Sequence, residues 1–181
     1  MDANTVWPWW VRLSHWLVAS GVIALWLMSY LWYETDWVHR TLGYTIVAVV
    51  LGRILLGCIT QFKPARFYWP GMAAISLHLA QIRSGQVQPH RGHNPLGQWA
   101  VYLMWFLIAA LATTGWLSRT DAFWGEDWPL EAHAMLSYCL MGLVAVHVLA
   151  IFCISKLSGQ HLLSQMIHGR YAQLKRKGAV K

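Results

Sequence analysis

The chain has 181 residues, 57% of them hydrophobic and 12% charged, with a mean hydropathy of +0.39. Charge at about half the level of an average soluble domain excludes a disordered chain, a collagen-like repeat and a small disulfide scaffold, and it is too little to cover a soluble surface. The formal net charge of +7 does not point to nucleic acid, because the basic residues are not gathered on one polar module.

The first long uncharged run extends from Leu13 to Tyr33, which is 21 residues and enough for a bilayer helix of about 20. Its length, the absence of a small-residue cleavage site and the early His15 and Trp16 make it a retained span rather than a signal peptide. A second run, from Val38 to Thr60, is interrupted only by Arg40 at its mouth and by Arg53, which is expected to snorkel toward the near end. Residues 67–82 are uncharged but short and contain Pro70 and Gly71; residues 71–84 read as an amphipathic helix lying at the interface. Gly92 to Ser118 is a run of 27 residues and Ala132 to Ser155 one of 24. The expected fold is all-α: a four-helix transmembrane bundle with spans at about 9–32, 38–60, 95–118 and 132–155. A short interfacial helix lies in the cytoplasmic loop between spans two and three. Residues 1–181 form one membrane domain with a basic tail at 156–181. Cys58, Cys139 and Cys153 fall in apolar stretches without a CxxC or CxxCH pattern and are expected to be inert core residues.

Orientation follows from the connecting segments. Residues 61–95 carry Lys63, Arg66, Arg83 and Arg91 and no acid; the tail carries Lys156, Arg170, Lys175, Arg176, Lys177 and Lys181 and no acid. The other two connections hold Glu34 and Asp36, and Asp121, Glu126, Asp127 and Glu131 against Arg119. The positive-inside rule places both termini and the long middle loop in the cytoplasm. Trp7, Trp9, Trp10, Trp69 and Trp99 then lie near the inner interface, and Trp32, Trp37, Trp116, Trp124 and Trp128 near the outer one, as an aromatic belt requires.

Four of the nine histidines, His15, His39, His133 and His147, lie within or at the ends of spans, where a polar group faces the bundle interior and finds a partner. His133 and His147 are 14 residues apart, about 40° short of four full turns, so they share one helix face about 21 Å apart along the axis. Span direction puts His15 at the depth of His147 and His39 at the depth of His133. Two imidazoles at equal depth on facing helices, at two levels, suit two six-coordinate haems. The absence of thiols and acids from this set argues against structural zinc and di-iron carboxylate sites. Without CxxCH the haems are held non-covalently. Gly43 and Ala19, each one turn after a histidine, leave room for a flat macrocycle, although small residues also serve ordinary helix packing. Arg12 and Arg40 are candidate partners for haem propionates; for Arg12 the positive-inside rule is a sufficient explanation. His78, His90, His161 and His168 lie outside the spans and are expected to be interfacial or solvated.

RLSHW at 12–16, VHRTLGY at 38–44, GHNPLGQW at 92–99 and H-x13-H at 133–147 together resemble the prokaryotic cytochrome b-561 and nickel-hydrogenase b-type cytochrome family. The resemblance runs from about Trp7 to Arg170, and the members it looks like are small stand-alone diheme cytochromes b. It implies a four-helix bundle with two haems b, one near each membrane face, ligated at His15, His39, His133 and His147. It also implies electron exchange between membrane quinone, ubiquinone or menaquinone, and a partner protein or small acceptor. In GHNPLG, Asn94 reads as a helix cap and Pro95 as a first helical residue. The alternative is that His93 or Asn94 hydrogen-bonds a quinone head group or a propionate.

The function expected first is transmembrane electron transfer between the quinone pool and a periplasmic redox partner such as a cytochrome c, because six-coordinate iron has no open site. The acidic outer loop would steer a basic partner. The resemblance also leaves two other classes: a superoxide:quinone oxidoreductase, which ranks lower because it calls for a positive outer pocket while the outer loops are acidic with Arg40 and Arg119 as their cations, and a membrane-anchor subunit of a larger oxidoreductase such as a hydrogenase. A transporter is disfavoured, since no inverted repeat or broken helix is evident.

Overall fold

A computed structural model of the chain describes residues 5–31, 36–89 and 92–171. Trp32, Glu34, His90, Arg91 and the tail residues Lys175, Arg176, Lys177 and Lys181 lie outside the described residues. The described residues form six α-helices: α1 (Trp9–Leu31), α2 (Asp36–Ile59), α3 (Met72–Arg83), α4 (Pro95–Leu117), α5 (Trp128–Ser158) and α6 (Leu162–His168). Helices α1, α2, α4 and α5 are each long and apolar enough to cross a membrane. The fourth span is about a turn longer at each end than its uncharged run. Pro129 is compatible with the first turn, Glu131 and Lys156 sit in the first and last turns where their charges complement the helix dipole, and Gly159, at φ +69°, follows the end. Its 31 residues reach about 46 Å, well beyond a hydrocarbon core of about 30 Å.

The chain divides into two compact units. The first, a bundle unit, comprises residues 13–56 and 101–144. Ile46, Val50, Leu107, Ile108 and Leu140 form its buried core, with Val22 and Leu25 of α1 packed against them, so all four helices share one apolar centre. Gly21 sits where an added Cβ would lie 2.8 Å from the Ile46 side chain, the close helix approach that small residues permit in membranes. Hydroxyls within the helices bond back to their own backbone: Ser20 to the Trp16 carbonyl, Thr41 to Trp37, Thr45 to Thr41 and Thr113 to Ala109. That satisfies them without water. Arg53 is buried at 8% exposure. The three cysteines are exposed on the outside of the helices, not in the core. An apolar helix exterior facing lipid accommodates a small hydrophobic thiol as well as an interior does.

The second, a terminal unit, comprises residues 5–12, 57–89, 92–100 and 145–171 of those described. Val6, Trp7, Val11 and Ala65 form its core, covered by Phe62 and Met166. Helix α3 turns Ile75, His78 and Ile82 inward, positions that share one helical face. His78 is therefore buried at 4% exposure rather than interfacial or solvated. Its opposite face carries exposed Met72 and Leu77. The segment after α6 is stitched to the start of the chain. Thr5 and Arg170 form an antiparallel bridge, the amides of Val6 and Trp7 donate to the Gly169 carbonyl, and Arg12 Nη1 donates to the Ile167 carbonyl at 2.6 Å. Gly169 caps α6 in the left-handed region at φ +76°, and a Cβ there would lie 2.7 Å from the Trp7 carbonyl oxygen.

Gly169→Ala should therefore lose both its backbone conformation and the stitch, at a cost of about 1–3 kcal/mol. Thermal unfolding in detergent measures this, and an unchanged midpoint would show that the stitch contributes no stability.

Candidate functional site

The first turn of α2 carries Asp36, His39 and Arg40 at spacings of three and four residues, which places them along one side of the helix. Arg40 Nε lies 3.5 Å from Asp36, and Arg119, just past α4, donates from Nη1 to the other Asp36 oxygen at 2.9 Å. Two guanidiniums thus share one carboxylate. All three groups line a cavity of about 470 Å³ whose wall also includes His39, Gly43 and His133, within the range of small-molecule and cofactor sites.

His133, in the second turn of α5, is oriented by α4. Its Nδ1 lies 3.0 Å from the Leu111 carbonyl oxygen and 3.2 Å from Thr114 Oγ1. A carbonyl only accepts, so Nδ1 carries the proton and Nε2 holds a free lone pair, the state of a metal-ligating imidazole. Gly115 makes this pose sterically available, since a Cβ there would stand 3.2 Å from the ring. The His39 and His133 rings face one another with centroids 6.1 Å apart and planes inclined by 60°. Two imidazoles on opposite sides of one metal ion would have centroids roughly 6 Å apart, given metal–nitrogen bonds of about 2.0–2.1 Å.

Other features of the wall fit a flat group with acidic edges. A Cβ at Gly43 would meet nothing within 4 Å, so the helix surface beside His39 is open. Trp26 Nε1 is a buried donor without a hydrogen-bond partner among the described residues, available to a carboxylate. Ser29, Tyr30 and Tyr138 complete the side toward α1, where the two phenol oxygens are 3.0 Å apart. Among the described residues no group of three or more histidine, cysteine or carboxylate side chains is placed to hold a metal ion.

The remaining sequence candidates fall elsewhere. His15, on α1 in the bundle unit, is partly buried with its ring edge-on to Trp16 at 5.0 Å. His147, on α5 in the terminal unit, is partly buried. Arg12 caps the end of α6 through the Ile167 carbonyl, a favourable place for a cation. His93 packs against Trp7 at 4.7 Å, and its carbonyl accepts from the Tyr68 hydroxyl. Asn94 Oδ1 accepts from the Gly97 amide at 2.6 Å, which is the cap expected ahead of Pro95.

Several groups were not singled out from the sequence. Gly115 and Trp26 line the cavity and Thr114 contacts His133; the one signal for Thr114 and Gly115 was a polar and small pair late in an apolar span, which tends to face the bundle interior. Gln98 and Gln165, at 1% and 2% exposure, are buried in the terminal unit, each with Nε2 unpartnered among the described residues.

Four apolar membrane-length helices and a tautomer-fixed imidazole facing a second across a cavity define a multi-pass membrane protein of the b-type cytochrome class. The family model for prokaryotic cytochrome b561 matches residues 6–169, and the chain belongs to that family. It is accordingly a haem-b-binding membrane protein of electron transfer. Comparisons with curated proteins and with solved structures gave no match.

Gly115→Val must push side-chain carbons into the space of the His133 ring. It should weaken haem retention by about 10–100-fold, the usual cost of disturbing the surroundings of a metal ligand. Gly142→Ala, whose added carbon meets nothing within 4 Å, should leave retention unchanged. Pyridine-haemochrome titration of the two purified variants checks both.

Proposed function

We propose that the chain carries electrons across the bacterial inner membrane through two bis-histidine haems b, between the quinone pool and a periplasmic redox partner such as a cytochrome c. The observation that carries this reading is the His39–His133 pair, 6.1 Å between centroids with Nδ1 of His133 tied to a carbonyl. These two residues would hold the haem nearer the outer face. His15 and His147 would hold the second, nearer the inner face; that pairing rests on helical arithmetic and span direction. When bound, haem b supplies a one-electron couple with no open coordination position, suited to outer-sphere transfer.

The chain's own groups do the rest. Apolar walls from Val22, Leu25, Ile46 and Ile108 keep water from the site. Arg40, Arg119 and Trp26 Nε1 offer donors to propionate carboxylates at the rim. Asp121, Glu126, Asp127 and Glu131 form an acidic approach for a basic partner. His93 and the Asn94 side-chain amide nitrogen, ahead of α4, offer donors to a quinone oxygen. Both termini are placed in the cytoplasm by the positive-inside rule.

The purified chain should contain two haems b. Replacing His39 or His133 with Ala should remove one of them, and replacing His15 or His147 the other, while His93→Ala should slow reduction by a short-chain quinol. A single haem, or pigment unchanged in both the His39 and His133 variants, would overturn the proposal.

A second reading is favoured by one observation: among the described residues lining the cavity, Arg40 and Arg119 stand against the one carboxylate of Asp36. That leaves a positive mouth, which would draw a small anionic electron donor such as superoxide toward the site. Stopped-flow mixing of superoxide with the oxidised protein tests it. Rapid haem reduction that slows several-fold in Arg119→Gln supports an oxidoreductase, and no reduction leaves the carrier.

A further inference from the structure

We propose that Thr114 is a positioning residue for the His39–His133 site, and that its hydroxyl oxygen shares the Nδ1 proton of His133 with the Leu111 carbonyl and thereby sets the reduction potential of the haem held there. The inference rests on the haem reading above and deepens it.

Leu111, Thr114 and Gly115 are spaced three and four residues apart on α4, so they present one patch to the imidazole. Leu111 contributes a carbonyl at 3.0 Å, Thr114 a hydroxyl oxygen at 3.2 Å, and Gly115 the space in which the ring lies. The Thr114 hydroxyl has its own acceptors in the Ala110 carbonyl at 3.0 Å and the Leu111 carbonyl at 3.1 Å. Donating to Ala110 leaves a lone pair directed at His133 and keeps the Leu111 oxygen for the imidazole. The Nδ1–H is then divided between two acceptors. His39 makes no hydrogen bond to a described residue, so the two ligands differ: one is tethered by α4 and the other is not.

The electronic consequence has a definite sign. A stronger pull on Nδ1–H makes the imidazole more basic at Nε2, and a more basic axial ligand favours ferric over ferrous iron. Losing the Thr114 oxygen therefore weakens the ligand and raises the potential of this haem alone.

The test is a spectroelectrochemical titration of the full-length protein in detergent. Thr114→Val keeps the branched shape and removes the oxygen; it should raise the ferrous-to-ferric ratio of one haem several-fold at fixed ambient potential. Tenfold would be a shift of about 59 mV for a one-electron couple. Thr114→Ser retains the oxygen and should titrate like the parent. Thr114→Ala cannot crowd the ring and should shift in the same direction as Val, which covers the case of a Val variant that folds poorly. Unchanged potentials in both Val and Ala, or an equal shift in Ser, would overturn the role of Thr114 while leaving the haem assignment standing. A preparation without haem, or His133→Ala with both titration steps intact, would instead overturn the haem assignment beneath it.

Discussion

A backbone carbonyl that can only accept fixes the state of the one imidazole on which the site depends. In an apolar bundle an unpartnered ring nitrogen is costly, and Leu111 supplies the partner by using the second lone pair of a helical carbonyl. Three consequences follow. The proton is confined to Nδ1, Nε2 is left basic, and the ring is held where His39 faces it. The missing side chain at Gly115 is part of the same arrangement, because any Cβ there would compete for the volume of the ring.

The surroundings of that pair obey the solvent the protein lives in. Serine and threonine hydroxyls along α1, α2 and α4 return to their own helices, which satisfies these groups without water. Charge is admitted where it is shared: Asp36 is held by two guanidiniums at the edge of the cavity. The terminal unit uses other means. Val6 and Trp7 are tied by backbone hydrogen bonds to Gly169, and Arg12 spends its charge on the end of α6. The positive residue beside His15 in the sequence thus has a structural employment, whereas the one beside His39 lines the cavity.

These features bear on how such a chain would handle electrons. A haem held by His39 and His133 would favour transfer without bond making at iron, so selectivity would have to come from the approach and the potential. The acidic segment between α4 and α5 and the basic rim of the cavity would act on charged reactants of opposite sign. A protein partner and a small anion therefore make different demands on the same end of the bundle. The potential, by contrast, would be adjusted from within, through the groups that hold the ligand's far nitrogen.

Run length and charge asymmetry sufficed for four spans and for the amphipathic segment that became α3, because lipid imposes an average composition that local sequence reports directly. Helical phase and span direction were also enough to match His39 with His133 in depth, since rise and twist per residue are nearly constant. The burial of Arg53 and His78, the exposure of the cysteines and the stitch between Gly169 and the start of the chain were not legible in this way. Neither was the grip of Leu111 and Thr114 on Nδ1. Each depends on which residues distant in sequence meet across helices, and a hydrogen bond between α4 and α5 leaves no periodic trace in either. Local physics writes the length and polarity of an element into its residues, whereas the tautomer of His133 came from the helix packed beside it.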